Sequence, residues 1–233
     1  MAALQEIWAF VLSEAGQRLI QNIIAIVALI FAIRGVRNWS RERRDLRRAE
    51  LAEKTLVAAH RAKDAIGFVR SPFGWGGEGA TRKRGQNETA DQTQGLDSAF
   101  APIERLNKAS DIFEEVQSLR YSISAAFSPA AAKPLSVFME VRAEIIAASH
   151  SKMRDISQPG PMNDAAIARS ERNDAVIWEG YGEAEKIVPR IERSIADLEK
   201  AFRPYVEATF RISGFWPRWP AWFTWRGKTD ATD

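Results

Sequence analysis

The sequence predicts an all-α protein, with an N-terminal transmembrane helix followed by a cytoplasmic antiparallel helical bundle of three to four long helices. Three observations lead to this prediction. One apolar run near the N-terminus is long enough to cross a bilayer. Apolar residues after it recur at intervals of three and four, which is typical of amphipathic helices. No stretch of useful length alternates apolar and polar residues as a half-buried strand would.

Composition narrows the chemistry that the chain can perform. The 233 residues suffice for one good-sized core or two small ones. The absence of cysteine excludes disulfides, thiolate metal sites and cysteine nucleophiles. Two histidines, His60 and His150, are too few for a multi-histidine metal site. Since no nucleophile–base arrangement is recognisable either, we expect no cofactor, no metal and no catalytic activity.

The apolar run covers residues 19–33 and reads LIQNIIAIVALIFAI. Counted over residues 18–36, it gives a helix of roughly 28 Å at ~1.5 Å per residue, which just spans a hydrocarbon core of about 30 Å. Arg18 and Arg34 can extend from its two ends to the headgroups. We therefore predict a transmembrane helix over residues 18–36. A buried core helix is the main alternative, because the uninterrupted run, residues 23–33, is short; an interfacial helix and a signal peptide are others.

The charges on either side of the run predict its orientation. Seven arginines follow it closely: Arg34, Arg37, Arg41, Arg43, Arg44, Arg47 and Arg48. Because basic residues favour the cytoplasmic side, we expect a single-pass protein of the cell inner membrane with its C-terminal part in the cytoplasm. Residues 1–17 would then form a short external tail, either an amphipathic helix on the outer surface or a continuation of the membrane helix.

Residues 37–70 predict a basic juxtamembrane helix, because they are rich in Ala, Leu, Glu, Lys and Arg. Its predicted membrane-interface residues are Trp39, Arg41, Arg43, Arg44, Arg47 and Arg48. Anionic lipid attracts arginine near the surface by about 1 kcal/mol per residue, so a lipid bilayer with anionic headgroups is the expected partner. Nucleic acid binding and a merely solvated helix face are the less favoured alternatives.

Residues 71–95 predict a Gly-rich loop. Residues 70–85 read RSPFGWGGEGATRKRG, in which Gly74, Gly76 and Gly79 fit the pattern G-x-G-x-x-G. A dinucleotide site needs a strand before the glycines and a helix after them, and neither is predicted here. The loop therefore has three interpretations: an ordered structural loop, a flexible basic segment or an anion-binding site. The candidate anion-binding residues are Gly74, Gly76, Gly77, Gly79, Arg82, Lys83 and Arg84.

Residues 96–213 predict the helical bundle. Its last helix has the most regular spacing, with the residues Val188, Ile191, Ile195, Leu198, Phe202, Tyr205, Thr209 and Ile212. Such intervals of three and four form the seam of a coiled coil or an antiparallel bundle. Four carboxylates on these helices could suit a metal site: Glu114, Glu115, Glu140 and Glu144. Helix-bundle metal sites use Glu-x-x-His, however, and neither histidine has a glutamate three residues before it.

Residues 214–233 predict a Trp-rich tail, with Trp216, Trp219, Trp222 and Trp225 three residues apart. Indoles favour the headgroup boundary, so these four residues are predicted membrane-interface residues as well. Two other interpretations remain open: a lid over the open end of the bundle and a docking segment for a partner.

The membrane helix, its Arg-rich exit and the stretch RSPFGWGGEGATRKRG together resemble uncharacterised bacterial single-pass membrane proteins. The resemblance implies a membrane location and supplies neither an activity nor a site residue. We expect a membrane-anchored cytoplasmic scaffold, sensor or partner-binding protein without catalytic activity, together with a protein partner or a homo-oligomer. The alternatives are a phosphate or nucleotide binder that uses the Gly-rich loop and a membrane-disrupting effector.

Overall fold

The computed structural model describes residues 14–74, 76–158, 163–181 and 185–213. In these residues it is all-helical, as predicted, with six helices and no strand: α1 (Glu14–Val69), α2 (Ala90–Lys108), α3 (Ser110–Ala126), α4 (Pro129–Ser157), α5 (Asp164–Ile177) and α6 (Ile187–Ser213). The predicted Trp-rich tail, with Trp216, Trp219, Trp222 and Trp225, lies outside the described residues, as do most of the external tail and Trp75 of the Gly-rich loop.

The chain divides into two compact units, Met1–Arg48 and Ala49–Asp233. The boundary falls inside α1, so this one helix contributes residues to both units. The sequence predicted a change of environment within the same helix, between residues 36 and 37.

In the first unit, every residue from Gln21 to Arg48 is exposed. This includes the apolar side chains of the run, from Ile30 at 43% to Phe31 at 69% exposure. By its length and composition α1 could cross a membrane. Unlike the core helix of a soluble domain, its apolar stretch has no buried residue.

The second unit has a single hydrophobic core, to which α1, α2, α3, α4 and α6 all contribute. Helix α4 is central, because it packs against α2, α3, α5 and α6. Small residues of α1, such as Ala52, Ala59 and Ala62, belong to the same core as the large rings of Phe113 and Phe138.

Helix α2 begins six residues before the apolar pattern suggests. The sequence predicted its start near Leu96, and the structure places it at Ala90. The cause is a capping box: Gln92 N–H donates to Thr89 Oγ1 at 3.2 Å, and Thr89 N–H donates to Gln92 Oε1 at 3.1 Å. Two otherwise unpaired N–H groups are thereby satisfied, so a polar segment is helical.

Polar side chains also cap the starts of α4 and α5. The Ala131 N–H donates to Ser128 Oγ at the start of α4, and Pro129 occupies the first helical position, where its missing N–H has no cost. The Ala166 N–H donates to Asn163 Oδ1 at the start of α5. These caps fix where the chain turns between the packed helices.

Two pairs of contacts define the direction of α6. On α1, His60 lies 3.6 Å from Glu199, and Lys63 lies 3.3 Å from Glu192. Residue numbers therefore fall along α6 as they rise along α1, so α6 ends at Ser213 near the end of the unit where α1 enters it.

The predicted seam of α6 is buried where it meets the core. Ile191, Ile195, Leu198 and Phe202 have exposures of 7% or less. Tyr205, one turn further on, is 39% exposed and packs its ring against Phe127. The last helix therefore uses the central part of its apolar stripe to close the second unit.

Candidate functional site

Three arginines of the second unit are almost completely buried: Arg70, Arg82 and Arg105 are at most 8% exposed. All three lie in or against the Gly-rich loop, which in the structure comprises residues 70–89, between α1 and α2. A buried guanidinium is costly unless it is paired and hydrogen-bonded. The partners of these three residues therefore determine the conformation of the loop.

Arg105, on α2, binds the start of the loop. Its guanidinium contacts Glu78 twice, at 2.5 Å and 3.2 Å. It also donates to backbone oxygens at the end of α1 and in the first residues of the loop, namely those of Phe68, Val69, Ser71 and Phe73. The last carbonyls of a helix lack intrahelical donors and form its negative end. Arg105 thus satisfies the C-terminus of α1 and fixes the loop with the same side chain.

Arg70, the residue after α1, performs the same task for α5. It donates to the backbone oxygens of Ala175, Val176 and Trp178 at 2.9–3.2 Å. It also forms two hydrogen bonds with Glu185, at 3.1 and 2.9 Å. Burial raises the pKa of the Glu185 carboxyl, but the hydrogen bonds from Arg70 and from two backbone N–H groups outweigh it, and the pKa is lowered overall.

Arg82 closes the second half of the loop. It binds both oxygens of Glu88, at 2.8 and 2.7 Å, and Asp97 at 3.2 Å. The Gly85 N–H donates to the same glutamate at 2.6 Å. The hydrogen bonds from Arg82 and then from Gly85 lower the pKa of Glu88 to about 2. The bond to Glu88 also raises the pKa of the Arg82 guanidinium above its ordinary value.

The last glycine of the G-x-G-x-x-G pattern already binds a carboxylate of this chain. Gly79 N–H donates to Glu104 at 2.8 Å, and the Thr81 hydroxyl donates to the same oxygen at 3.1 Å. The ion pair with Lys108, burial and these two bonds act on the pKa of Glu104, which is lowered overall. Gly79 has φ of +82°, a conformation that favours glycine.

An open cleft of about 970 Å³ lies between the Gly-rich loop, the first half of α2 and the segment after α5. Trp178 and Tyr181 line one side of it, and Tyr181 is 55% exposed. The charged groups on the other side include Glu88 and Asp97, which bind Arg82. The cleft therefore combines aromatic surface with carboxylates whose charge is balanced from within the chain.

The structure distributes the candidate anion-binding residues over different roles. Four of them line the cleft: Gly74, Gly76, Gly77 and Arg84. The other three do not converge on it, because Gly79 N–H binds Glu104, Arg82 binds Glu88, and Lys83 accepts from Arg82 through its backbone oxygen. At Gly79 and Arg82, an added phosphate would have to displace the carboxylates of Glu104 and Glu88.

Sequence reasoning missed Arg70, Arg105 and Glu78. No sequence signal pointed to Arg105, because it lies off the unbroken three-residue spacing of Ile103 and Leu106, next to Glu104. Its burial follows from packing against the loop and the end of α1.

The predicted membrane-interface residues of α1, Trp39, Arg41, Arg43, Arg44, Arg47 and Arg48, are all exposed. The guanidinium carbon of Arg43 lies 4.9 Å from the centre of the Trp39 ring. Arg44 donates through Nε to the backbone oxygen of Ser40 at 3.1 Å. The stacked Trp39–Arg43 pair is a geometry in which a cation and an aromatic face attract each other.

Three of the four carboxylates that could suit a metal site pair with arginines instead. Glu115 pairs with Arg61 at 2.6 Å. Glu144 binds Arg190 at 2.8 Å, and Glu140 lies 3.9 Å from the same arginine. In the part of the chain that the structure describes, no group of three His, Asp or Glu side chains is placed to hold a metal ion.

The described fold and site define an all-α protein with an arginine-bound loop beside an open cleft. The chain matches no protein-family model, no curated protein and no solved structure.

Proposed function

We propose that this protein is a single-pass, membrane-anchored helical scaffold that binds a protein partner in the cytoplasm and has no catalytic activity. The observation that carries the proposal is the exposed apolar segment of α1. Side chains on all sides of the helix are apolar and exposed there, Ile24 at 62% and Leu29 at 60% among them. A helix that is apolar all round belongs in a protein core or in a membrane, and no residue of this chain covers it in the described structure.

The charges next to this segment support its orientation. Arg34 follows the apolar run directly, and further arginines extend to Arg48. Basic residues within about 15–20 residues of a membrane helix favour the cytoplasmic side. The second unit and the Gly-rich loop would therefore lie in the cytoplasm of a cell whose inner membrane holds residues 18–36.

The direction of α6 supports an antiparallel bundle. Glu192 and Glu199 meet α1 in reverse order, so Ser213 lies toward the end of the unit that α1 enters first. The four tryptophans of residues 214–233 follow Ser213 in the sequence, and we propose them as interface residues because indole rings partition favourably into the headgroup region.

The cleft beside the Gly-rich loop is the proposed face for the protein partner. Arg70, Arg82 and Arg105 hold the backbone around the cleft in place, so the loop loses little conformational entropy when a partner binds. Phe73 is 84% exposed at its edge, and Tyr181 is 55% exposed. Aromatic residues of this kind supply much of the energy of protein interfaces.

Carbonate extraction of the full-length protein from membranes tests the anchor. We expect the wild type to resist extraction. Leu29→Lys together with Phe31→Lys should release it, because a lysine at the centre of a membrane helix costs roughly 2.5–3.5 kcal/mol. The matched control is Val57→Lys with Tyr121→Lys, two exposed apolar residues of the second unit.

The control variant should stay in the membrane fraction. In intact cells, protease added from outside should leave the second unit uncut. A wild type that is extracted as a soluble, helical protein would disprove the anchor. If carbonate extracted the Leu29→Lys/Phe31→Lys variant and the control variant to the same extent, the apolar segment of α1 would not be what holds the protein at the membrane.

A further inference from the structure

Three arginines at the start of the basic segment have no partner of their own. Among the described residues, Arg34, Arg37 and Arg41 form no hydrogen bond or ion pair with any other group. Together with Asn38 they line a hollow of about 300 Å³ on the surface of α1. Three unpaired guanidinium groups around one hollow repel one another, which favours an anion between them.

These three residues share one face of α1. At 3.6 residues per turn they fall within an arc of about 60°. Arg43 and Arg47 lie on another side of the helix, roughly 110–150° from the centre of that arc, and Arg43 already stacks on Trp39. The arginines after the apolar run therefore form at least two groups on different faces of α1.

We propose that Arg34, Arg37, Arg41 and Asn38 form a binding site for the phosphate of an anionic phospholipid headgroup. The planar guanidinium fork matches phosphate oxygens and can donate two parallel hydrogen bonds. The Asn38 amide adds a further donor. This inference deepens the proposed membrane anchor and rests on it.

The position of the site identifies lipid as the source of the phosphate. Arg34 directly follows Ile33, the last residue of the exposed apolar run. Arg41 lies about 10 Å further along the axis, and the headgroup region of one leaflet is roughly 5–7 Å deep. Because helical side chains lean toward the N-terminus, Arg37 and Arg41 extend back toward the headgroups rather than away from them.

A specific headgroup site and general attraction of arginines to an anionic surface predict different effects of substitution. Attraction to an anionic surface depends on how many arginines lie near it, at about 1 kcal/mol each. A headgroup site depends on which face of the helix they occupy. Two pairs of arginines in the same segment, on different faces, separate the two explanations.

The test uses the full-length protein in neutral detergent, titrated with fluorescent short-chain phosphatidylglycerol. Arg37→Gln with Arg41→Gln removes two charges from the site, and Arg43→Gln with Arg47→Gln removes two charges from the other face. We expect the first variant to bind about 30-fold more weakly, the loss of two contacts near 1 kcal/mol each. The second should bind less than about threefold more weakly.

Equal weakening of both variants, or no weakening of the first, would overturn the headgroup site. Displacement of the lipid by millimolar inorganic phosphate would also overturn it, since the site would then recognise a free anion. Circular dichroism should show equal helicity for all variants, because the exchanged side chains are exposed. None of these results depends on carbonate extraction of the wild type, so failure of the anchor itself is recognised separately.

Discussion

Arg105 and Glu78 form a bidentate ion pair, with 2.5 Å between Nη2 and Oε2 and 3.2 Å between Nε and Oε1. The arginine is 2% exposed and the glutamate 13%. The pair joins α2 to the Gly-rich loop, and the remaining donors of Arg105 reach the end of α1. One side chain of α2 thus joins this helix to the end of α1 and to the start of the loop, whose backbone oxygens it also binds.

Loss of this arginine should destabilise the second unit strongly. We expect Arg105→Met to lower the free energy of unfolding by about 3–5 kcal/mol, because the buried ion pair with Glu78 and four hydrogen bonds to backbone oxygens would be lost together. Arg61→Met is the control, since the Arg61–Glu115 pair is about half-exposed and should contribute less than about 1 kcal/mol. Urea unfolding in neutral detergent measures both. Equal effects would mean that the loop is held mainly by other contacts.

Two buried serines should respond oppositely to alanine. Ser149 is fully buried, and its hydroxyl has no partner among the described residues. Ser194 is 4% exposed and donates to the backbone oxygen of Pro134 at 2.7 Å. An unpaired buried hydroxyl costs about 1–3 kcal/mol, and a made hydrogen bond contributes about 1 kcal/mol. Ser149→Ala should leave the unfolding midpoint in urea unchanged or raise it, and Ser194→Ala should lower it.

The opposite order of the two midpoints would show that Ser149 has a hydrogen-bond partner in solution. Both substitutions remove the same atom from a helix, so differences in helix propensity cancel between them.

Gly79 should tolerate alanine less well than Gly77. Both have positive φ, +82° and +92°, so alanine is strained at either position by about 1–3 kcal/mol. A Cβ on Gly79 would also overlap the backbone carbonyl of Asp97, whereas a Cβ on Gly77 meets open space. We expect Gly79→Ala to lower the unfolding midpoint in urea clearly more than Gly77→Ala does. Equal midpoints would mean that the loop and α2 lie further apart in solution.

Acid should weaken the loop through Glu88. Its folded-state pKa is lowered from 4.5 to about 2 by the hydrogen bond from Arg82 and then that from Gly85. A carboxyl with a lowered pKa stabilises the fold fully above its unfolded value and loses that contribution as pH falls toward the folded one. The midpoint in urea should therefore fall between about pH 4.5 and about pH 2. The lowered pKa values of Glu104 and Glu185 act in the same direction.

Glu88→Gln should flatten this acid decline, because the glutamine cannot be protonated in that range. The control is Glu192→Gln, which changes an exposed glutamate paired with Lys63 and should leave the wild-type decline in place. If both variants decline as steeply as the wild type, Glu88 does not govern the acid response.

The sequence predicted the structural features that depend only on residues close together in the chain. The intervals of three and four in α6 identified Ile191, Ile195 and Leu198, which are all buried, because helical periodicity is a local property. The start of α2 at Ala90 escaped prediction for a related reason: the capping box of Thr89 and Gln92 is polar and leaves no trace in an apolar pattern.

The arginine-bound loop could not be predicted, because its partners are distant in sequence. Arg105 binds residues 27 to 37 positions earlier. The glycine pattern was visible, but Gly79 binds Glu104 from 25 positions further on, and no local rule connects the two. The pattern indicated a turn with available N–H groups, while the packing of α2 determined that a carboxylate of the chain itself would accept from one of them.

The bonds of Arg70 also set an order of events during synthesis. Its partners, from Ala175 to Glu185, are 105 to 115 residues further along the chain. At a translation rate of roughly 5–20 residues per second, Arg70 leaves the ribosome several seconds before any of them. Until then its guanidinium must stay in water, so the C-terminal end of α1 cannot reach its final packing. The assembly of this end of the second unit is therefore completed only after Glu185 has been made.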